Sequence, residues 1–382
     1  MPWQEHRRVD LREEFVLKAN DPLRVMSVLC REYGISRKTG YVWLDRYKTH
    51  GVDGLVDRSH RPRRLPSTTS GEVVLRISEL RRQQGKRFWG PKKLRELLKL
   101  EFGEAPSVRT IARITRRLGL APLRTKRVRK AVPFQVGGTL KATRPNDVWT
   151  IDFKGWWKTQ DGARFEPLTV RDAASRFVLL CTHCPETVVA VKRHCELLFQ
   201  RYGVPSKIRA DNGPPFAVSK AIGGLSRLSA WWISLGIEVS FCHPASPWEN
   251  GAHERMHGDI ARELEAEPAR NREQQQRAVD EWVREFNEVR PHEGVNMNMR
   301  TPSSVYKRSR RRMKLLKPTY PADAVVKRVS SRGRIKLDGH DYFIGTNLSG
   351  MTIGLRKIDD GFRVLFFNTD LGTINPKPQR AR

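Results

Sequence analysis

Ile208-Arg209-Ala210-Asp211-Asn212-Gly213, followed by Ser246-Pro247-Trp248-Glu249-Asn250-Gly251-Ala252-His253-Glu254, is the stretch whose reading decides the fold. The first part reads as a short strand delivering a carboxylate into an Asn-Gly turn. The second reads as a loop entering a helix that carries another carboxylate. Upstream, Val148-Trp149-Thr150-Ile151-Asp152-Phe153 alternates as a β segment with an acid near its middle, where a buried strand does not spend one without a reason. Three acids on three separate elements of a very basic chain suggest a divalent-metal site facing phosphates.

The chain has 382 residues, enough to bury more than one core, so several domains are expected. Its formal net charge is +31, which points to a polyanionic partner, nucleic acid before membrane. That charge is unevenly placed: +19 over residues 1–147, −1 over 148–299 and +13 over 300–382. A near-neutral centre holding the acids, with positive flanks, is the pattern expected if the flanks grip DNA and the centre does chemistry on it. Five cysteines, an odd number, argue for a reduced compartment without a disulfide framework. No apolar leader follows Met1 and no run of about 18 apolar residues occurs, so a soluble, cytoplasmic, nucleoid-associated protein is expected, with no membrane partner.

In the N-terminal part, Met26, Leu29 and Tyr33 recur at helical spacing, Gly34-Ile35 makes a turn, and Ser36 caps a second helix with Val42 and Trp43 available to pack. Arg37, Lys38, Thr39 and Tyr41 then project from the start of that helix as DNA contacts. Residues 1–60 form this helix-turn-helix domain and 61–70, with Arg61-Pro62-Arg63-Arg64-Leu65-Pro66, a linker. A second helical domain spans 71–120. Val74, Ile77 and Leu80 make one stripe, Leu94, Leu97 and Leu98 another, and Ser107 caps a helix with Ile111, Ile114 and Leu118 inside. Its outer face carries Arg109, Arg113, Arg116 and Arg117, spaced to track a phosphate backbone or simply to solvate the helix. Residues 121–146 are a basic connector, Lys126 and Arg127 among them, expected to lie on DNA.

From Val148 the pattern is α/β. Trp149–Trp157, Phe165–Val170 and Phe177–Cys181 read as successive strands, with Asp161-Gly162 turning between the first two. A helix capped by Thr187 runs to Tyr202, and Lys207–Ala210 delivers Asp211. Leu225–Leu235 reads as a helix, Ile237–Phe241 as a strand and Glu273–Val289 as a long helix. Together they suit a mixed sheet flanked by helices over 147–299.

Four motifs reach a known family. Trp149-Thr150-x-Asp152, Asp211-Asn212-Gly213-x-x-Phe216, His243-Pro244-x-x-Pro247-x-x-Asn250-Gly251-x-x-Glu254-Arg255-x-His257 and Phe286-Asn287-x-x-Arg290-Pro291-His292 resemble the core of bacterial insertion-sequence transposases. These belong to the retroviral-integrase superfamily with a ribonuclease-H-like fold. The resemblance covers nearly the whole chain. It implies that Asp152, Asp211 and Glu254 match the Asp-Asp-Glu triad holding two Mg²⁺ ions, which Mn²⁺ can replace. Asn250, Arg255 and Arg262, around that glutamate, are read as DNA contacts; with no P-loop in the sequence, no ATP is expected, and synapsis of two ends implies a homo-oligomer, at least a dimer, on double-stranded DNA comprising transposon ends and target.

The chemistry suits that set. Strand cutting and joining are in-line displacements at phosphorus, and two cations about 3.5–4 Å apart can activate the attacking oxygen and stabilise the leaving one. Mg²⁺ takes oxygen ligands and keeps open positions, so a few carboxylates suffice. Without metal, converging acids repel and push one another's pKa up. Glu249 is the rival third acid; Ser246-Pro247-Trp248-Glu249 fits a capping box, and two glutamates five residues apart on a helix cannot both face the metals. Two departures stand out. The 42 residues between Asp211 and Glu254 exceed the spacing in many relatives. Relatives also carry bases one and two turns after the glutamate, where this chain has Gly258 and Ala261. Cys181, His183, Cys184, His194 and Cys195 match no common zinc spacing and read as ordinary packing, while His253 and His257 are either DNA contacts or plain surface residues.

Residues 300–320 hold eight bases and no acid up to Pro318, including Arg310, Arg311 and Arg312, and read as an arm along DNA. Residues 321–376 read as five short strands, Ala324–Val329, Arg334–Leu337, His340–Ile344, Met351–Ile358 and Phe362–Asn368, forming a small all-β barrel. The expectation is a multidomain transposase that binds its terminal inverted repeats and cuts and joins DNA with Mg²⁺. The alternative is a transposase-derived, sequence-specific DNA-binding regulator without catalytic activity, and a plain ribonuclease-H-type nuclease leaves the flanking domains unexplained.

Overall fold

The computed structural model describes residues 8–58, 69–83, 85–121, 142–218, 221–242, 251–294 and 297–375. Lys126, Arg127, Glu249, Asn250 and the Arg/Pro linker at 61–66 lie outside these. The chain divides into two units, at Thr68 and Thr69.

The first unit holds α1 (Arg8–Ala19), α2 (Met26–Glu32) and α3 (Arg37–His50). Ser36 caps α3 by accepting from the Thr39 N–H at 3.1 Å, and Gly34 turns the corner at φ 63°. Phe15, Val16, Leu29, Cys30 and Leu44 form the core. Gly40 lets α3 come close, since a Cβ there would stand 2.6 Å from the Cys30 Sγ. Val42 faces out, contrary to expectation, while Trp43 packs half-buried between the Arg12 and Arg46 guanidiniums.

The second unit begins with α4 (Gly71–Arg82), α5 (Pro91–Phe102) and α6 (Val108–Arg117). They share a core of Ile77, Leu80, Trp89, Leu94, Leu98, Ile111 and Ile114. Val73 takes the buried place expected for Val74, and Leu118, just past the end of α6, is exposed.

Next come β1 (Val148–Phe153), a short hairpin of β2 (Trp157–Lys158) and β3 (Arg164–Phe165), then β4 (Pro167–Asp172) and β5 (Val178–His183). After α7 (Val188–Tyr202) come β6 (Lys207–Ala210), α8 (Arg227–Ser234) and β7 (Glu238–Phe241). The sheet runs β5-β4-β1-β6-β7. β4 lies antiparallel to β1 and β5, whereas β6 lies parallel to β1 and β7. Gly155, at φ 87°, breaks the single long strand expected from Trp149 to Trp157. One core lies between the sheet and α7 and α8, including Trp149, Ile151, Phe199 and Trp232. A second joins β5 and the hairpin to α9 (Gly251–Ile260) and α10 (Arg272–Glu288) through Phe165, Met256, Ile260 and Trp282.

A one-turn helix, α11 (Pro302–Val305), leads into the basic arm. This arm lies on the core: the Ser309 N–H donates to the Tyr202 carbonyl at 2.8 Å and the Leu316 N–H to that of Ser234 at 2.8 Å. The rest is β8 (Ala324–Arg328), β9 (Arg334–Leu337), β10 (His340–Phe343), β11 (Thr352–Ile358), β12 (Gly361–Phe366) and β13 (Thr369–Ile374). The expected barrel is instead a four-stranded antiparallel sheet, β13-β12-β11-β8, and a two-stranded one, β10-β9, which do not close among the described residues. Apolar residues of both sheets, including Ile335, Ile353 and Val364, pack with Leu225, Ala230 and Ile233 from the α8 region, so this surface is covered by the core itself.

Candidate active site

β1 sits between a parallel and an antiparallel neighbour, and its pairing with β6 sets Ile151 opposite Ala210. The next residues, Asp152 and Asp211, therefore leave adjacent strands side by side, about 5 Å apart in strand spacing. Pleating points Asp152 to the same face as Thr150, away from Trp149 and Ile151. That is the face covered by α9. Burial pushes the Asp152 carboxyl up to about 7, and repulsion from Asp211, then from Glu254, adds to the shift. Asp211 is exposed, and its Oδ1 accepts from the Asn212 N–H at 2.8 Å. Glu254 is exposed on the first turn of α9, with its carboxyl raised by burial.

The three acids therefore share one region, yet no cluster of three or more acid, His or Cys side chains close enough to hold a metal occurs among the described residues. The donor chemistry still suits Mg²⁺, because carboxylate oxygens are hard ligands and the mutual repulsion at Asp152 is what a divalent cation would relieve.

Two histidines seat α9 on the sheet, and sequence reasoning missed this. His253 is fully buried; its Nδ1 lies 2.7 Å from the Thr150 hydroxyl and its Nε2 2.7 Å from that of Thr169. His257, one turn on, places its Nε2 2.8 Å from the same Thr169 oxygen. Thr169 donates to the Asp152 carbonyl at 2.9 Å, so it accepts from both imidazoles. Burial holds both histidines neutral, His257 down at about 3. Neither is a surface residue. The only signal in the sequence was their spacing of four on a helix.

The Arg290 motif is likewise structural. Arg290 is 1% exposed and its guanidinium donates to Glu263 at 2.5 and 3.1 Å, with Asp259 and Glu285 further off at 3.5 and 3.4 Å. Asn287 holds the edge of β5, accepting from the Val178 N–H at 2.8 Å and donating to its carbonyl at 2.9 Å.

The structure places Arg37, Lys38, Thr39 and Tyr41 exposed along the start of α3, and Arg109, Arg113, Arg116 and Arg117 exposed on α6. Arg255 is exposed on α9, whereas Arg262 is paired with Asp259. Arg310 and Arg312 are exposed. Arg311, exposed as well, donates to the Pro205 and Gly236 carbonyls, each at 2.6 Å. Cys181, Cys184 and Cys195 are buried in the cores, with thiols raised by burial to about 12, 11 and 12. No described helix is long and apolar enough to cross a membrane.

The Integrase core domain family matches residues 142–247, and a second Integrase core domain description matches 235–302. A Helix-turn-helix domain matches 12–63 and a Homeodomain-like domain 39–115. The chain is 29% identical over 264 residues to the uncharacterized 39.2 kDa protein of insertion element IS476 from Xanthomonas euvesicatoria, covering 68% of this chain and 72% of that protein. It is 27% identical over 233 residues to the uncharacterized 31.7 kDa protein of insertion element IS407 from Burkholderia multivorans, covering 60% of this chain and 80% of that one. Among solved structures, the HTLV-2 integrase catalytic core in complex with magnesium aligns with 19% identity and a TM-score of 0.31, over 43% of this chain and 98% of that one. The mixed sheet described above is the ribonuclease-H-like sheet of an integrase core. The chain thus carries an Integrase core domain with helix-turn-helix domains in front of it, and is similar to proteins of bacterial insertion elements.

Proposed function

We propose that the protein is a transposase that cuts DNA at its element's terminal inverted repeats and joins the freed 3′-OH to target DNA. The observation that carries this reading is the placement of Asp152 and Asp211 at the ends of adjacent parallel strands, with Glu254 near enough to raise the Asp152 carboxyl. Asp152, Asp211 and Glu254 would hold two Mg²⁺ ions. The ions supply activation of the attacking oxygen and stabilisation of the leaving one. The chain's own part is positional. His253 and His257 fix α9, and hence Glu254, against the Thr169 hydroxyl that also holds the Asp152 backbone. Arg37, Lys38, Thr39 and Tyr41 on α3, and Arg109, Arg113, Arg116 and Arg117 on α6, read and track the terminal DNA, with Lys126, Arg127, Asn250, Arg255, Arg310 and Arg312 adding phosphate contacts. Synapsis of two ends requires at least a dimer on DNA.

The test is incubation with Mg²⁺ and DNA flanking the gene. Strand-transfer products that vanish in EDTA support the reading. Salt-dependent binding without any Mg²⁺-dependent cutting supports the second one, a DNA-binding regulator.

A further inference from the structure

Beside Glu254 opens a cleft of about 680 Å³ in which cations outnumber acids: Lys93, Arg171, Arg176 and Arg255 line it, together with the paired Arg262, His292 and the acids Glu254, Asp259 and Glu293. These groups come from four separate places. Lys93 is on α5, Arg171 on β4, Arg176 in the β4–β5 turn and Arg255 on α9. Chain folding has therefore gathered four cations whose mutual repulsion the acids of the cleft offset only in part, because those acids have partners of their own.

The acids nearby are already committed. Asp259 pairs with Arg262 and lies 3.5 Å from Arg290, and Glu293 pairs with Lys92 at 2.6 Å. Glu254 belongs to the metal site proposed above. Arg171 is 3% exposed; one terminal N–H donates to the Ala252 carbonyl at 2.5 Å, while its buried Nε has no partner among the described residues. The His292 Nε2, also buried and lining the cleft, has none either. Arg176 is held at φ 64°, a left-handed backbone that a non-glycine residue rarely adopts. The turn enforces it: the Asp172 carboxylate accepts from the Ser175 N–H at 2.7 Å and hydroxyl at 2.5 Å. Burial lowers Arg171 to about 9 and Lys93 to about 8, with neighbouring guanidiniums adding to both shifts.

We propose that this cleft binds a phosphate of the DNA strand being processed, next to the one at Glu254, through Lys93, Arg171, Arg176 and Arg255. The site is composite: the helical unit α4–α6 and the integrase core of one chain complete it together. Cations from α5, β4 and the turn after it thus join the one that α9 itself carries at Arg255. The inference deepens the transposase reading and rests on it for the identity of the strand.

The test measures binding rather than cutting. Full-length protein is titrated against a fluorescein-labelled duplex of gene-flanking DNA in EDTA over a range of salt. Arg176→Gln and Lys93→Gln each reduce the slope of log K against log salt by about 1, and weaken binding roughly five- to tenfold near 0.1 M salt. Arg277→Gln, exposed on α10 and paired with Glu273 outside the cleft, leaves the slope unchanged. Gly294→Ala retains every charge, but its methyl would stand 2.7 Å from the Arg176 Nη2 and displace that guanidinium, so it weakens binding too, even if Arg176→Gln folds poorly. A wild-type slope in either Arg176→Gln or Lys93→Gln, or an equal loss in Arg277→Gln, overturns the proposal. Asp152→Asn keeps the full slope in this assay. Should it also retain cutting, the metal-site reading fails while the phosphate site stands.

Discussion

Arg290→Met is the most informative single perturbation of the platform beneath the site. Arg290 and the Glu263 side chain are 1% and 2% exposed, and Trp282 Nε1 donates to the same carboxylate at 2.8 Å. Burial pushes the Glu263 carboxyl up, while two guanidinium bonds and the indole N–H favour its charged form. Removing Arg290 strands that carboxylate in the core and costs about 3–5 kcal/mol. Replacing both partners by apolar side chains removes the stranded charge, so Arg290→Met with Glu263→Leu recovers most of the loss. The assay is a double-mutant cycle by urea unfolding, followed by circular dichroism. A single-variant loss below about 1 kcal/mol, or a double variant losing the sum of the two singles, refutes the assignment of a buried coupled pair. The consequence extends to function, because Arg290 also lies 5.6 Å over the Trp89 ring and so couples the helical unit to the turn following α9.

Two further outcomes follow from the histidines. His253→Ala removes a fully buried ring and leaves the Thr150 and Thr169 hydroxyls short of a partner; about 2–4 kcal/mol of stability is lost, and Mg²⁺-dependent cutting falls while the salt slope of DNA binding is unchanged. His292 has its pKa lowered to about 2, first by burial and then by Lys93, Arg176 and Arg290. A folded pKa below the unfolded value of about 6.5 means that its contribution is complete above pH 6.5 and is lost as pH falls toward 2. Unfolding free energies from urea titrations at pH 7 and 4.5 therefore differ by up to about 2.7 kcal/mol from this group alone, and His292→Asn flattens that part of the profile; an unchanged profile contradicts it.

Much of this was legible because period and punctuation agreed. Ser36, Ser107 and Thr187 each cap the helix they were read to cap. Lys207–Ala210 is the strand that brings Asp211 to the sheet. Other features depend on what packs against a segment, which a sequence does not display. Half of the residues in α1 are charged, and its fully buried apolar side is Phe15 and Val16. β13 is short and polar, yet it pairs along β12, so the C-terminal region has six strands rather than five. His253 and His257 read as surface because a helix with Glu254 and Arg255 between them looks solvated; Thr150 and Thr169, far away in sequence, bury them. Arg311 reads as one more DNA-facing base, and the sequence does not display that it also donates to two carbonyls of the core.

The central claim is that Asp152, Asp211 and Glu254 act together on DNA through divalent metal. It is tested most directly by Mg²⁺-dependent cleavage of end-bearing DNA by Asp152→Asn, Asp211→Asn and Glu254→Gln, alongside Glu249→Gln. The first three lose more than the roughly 10–100-fold typical of a supporting group, with DNA binding intact, while Glu249→Gln still cuts. Cleavage at the normal rate by any of the first three contradicts it.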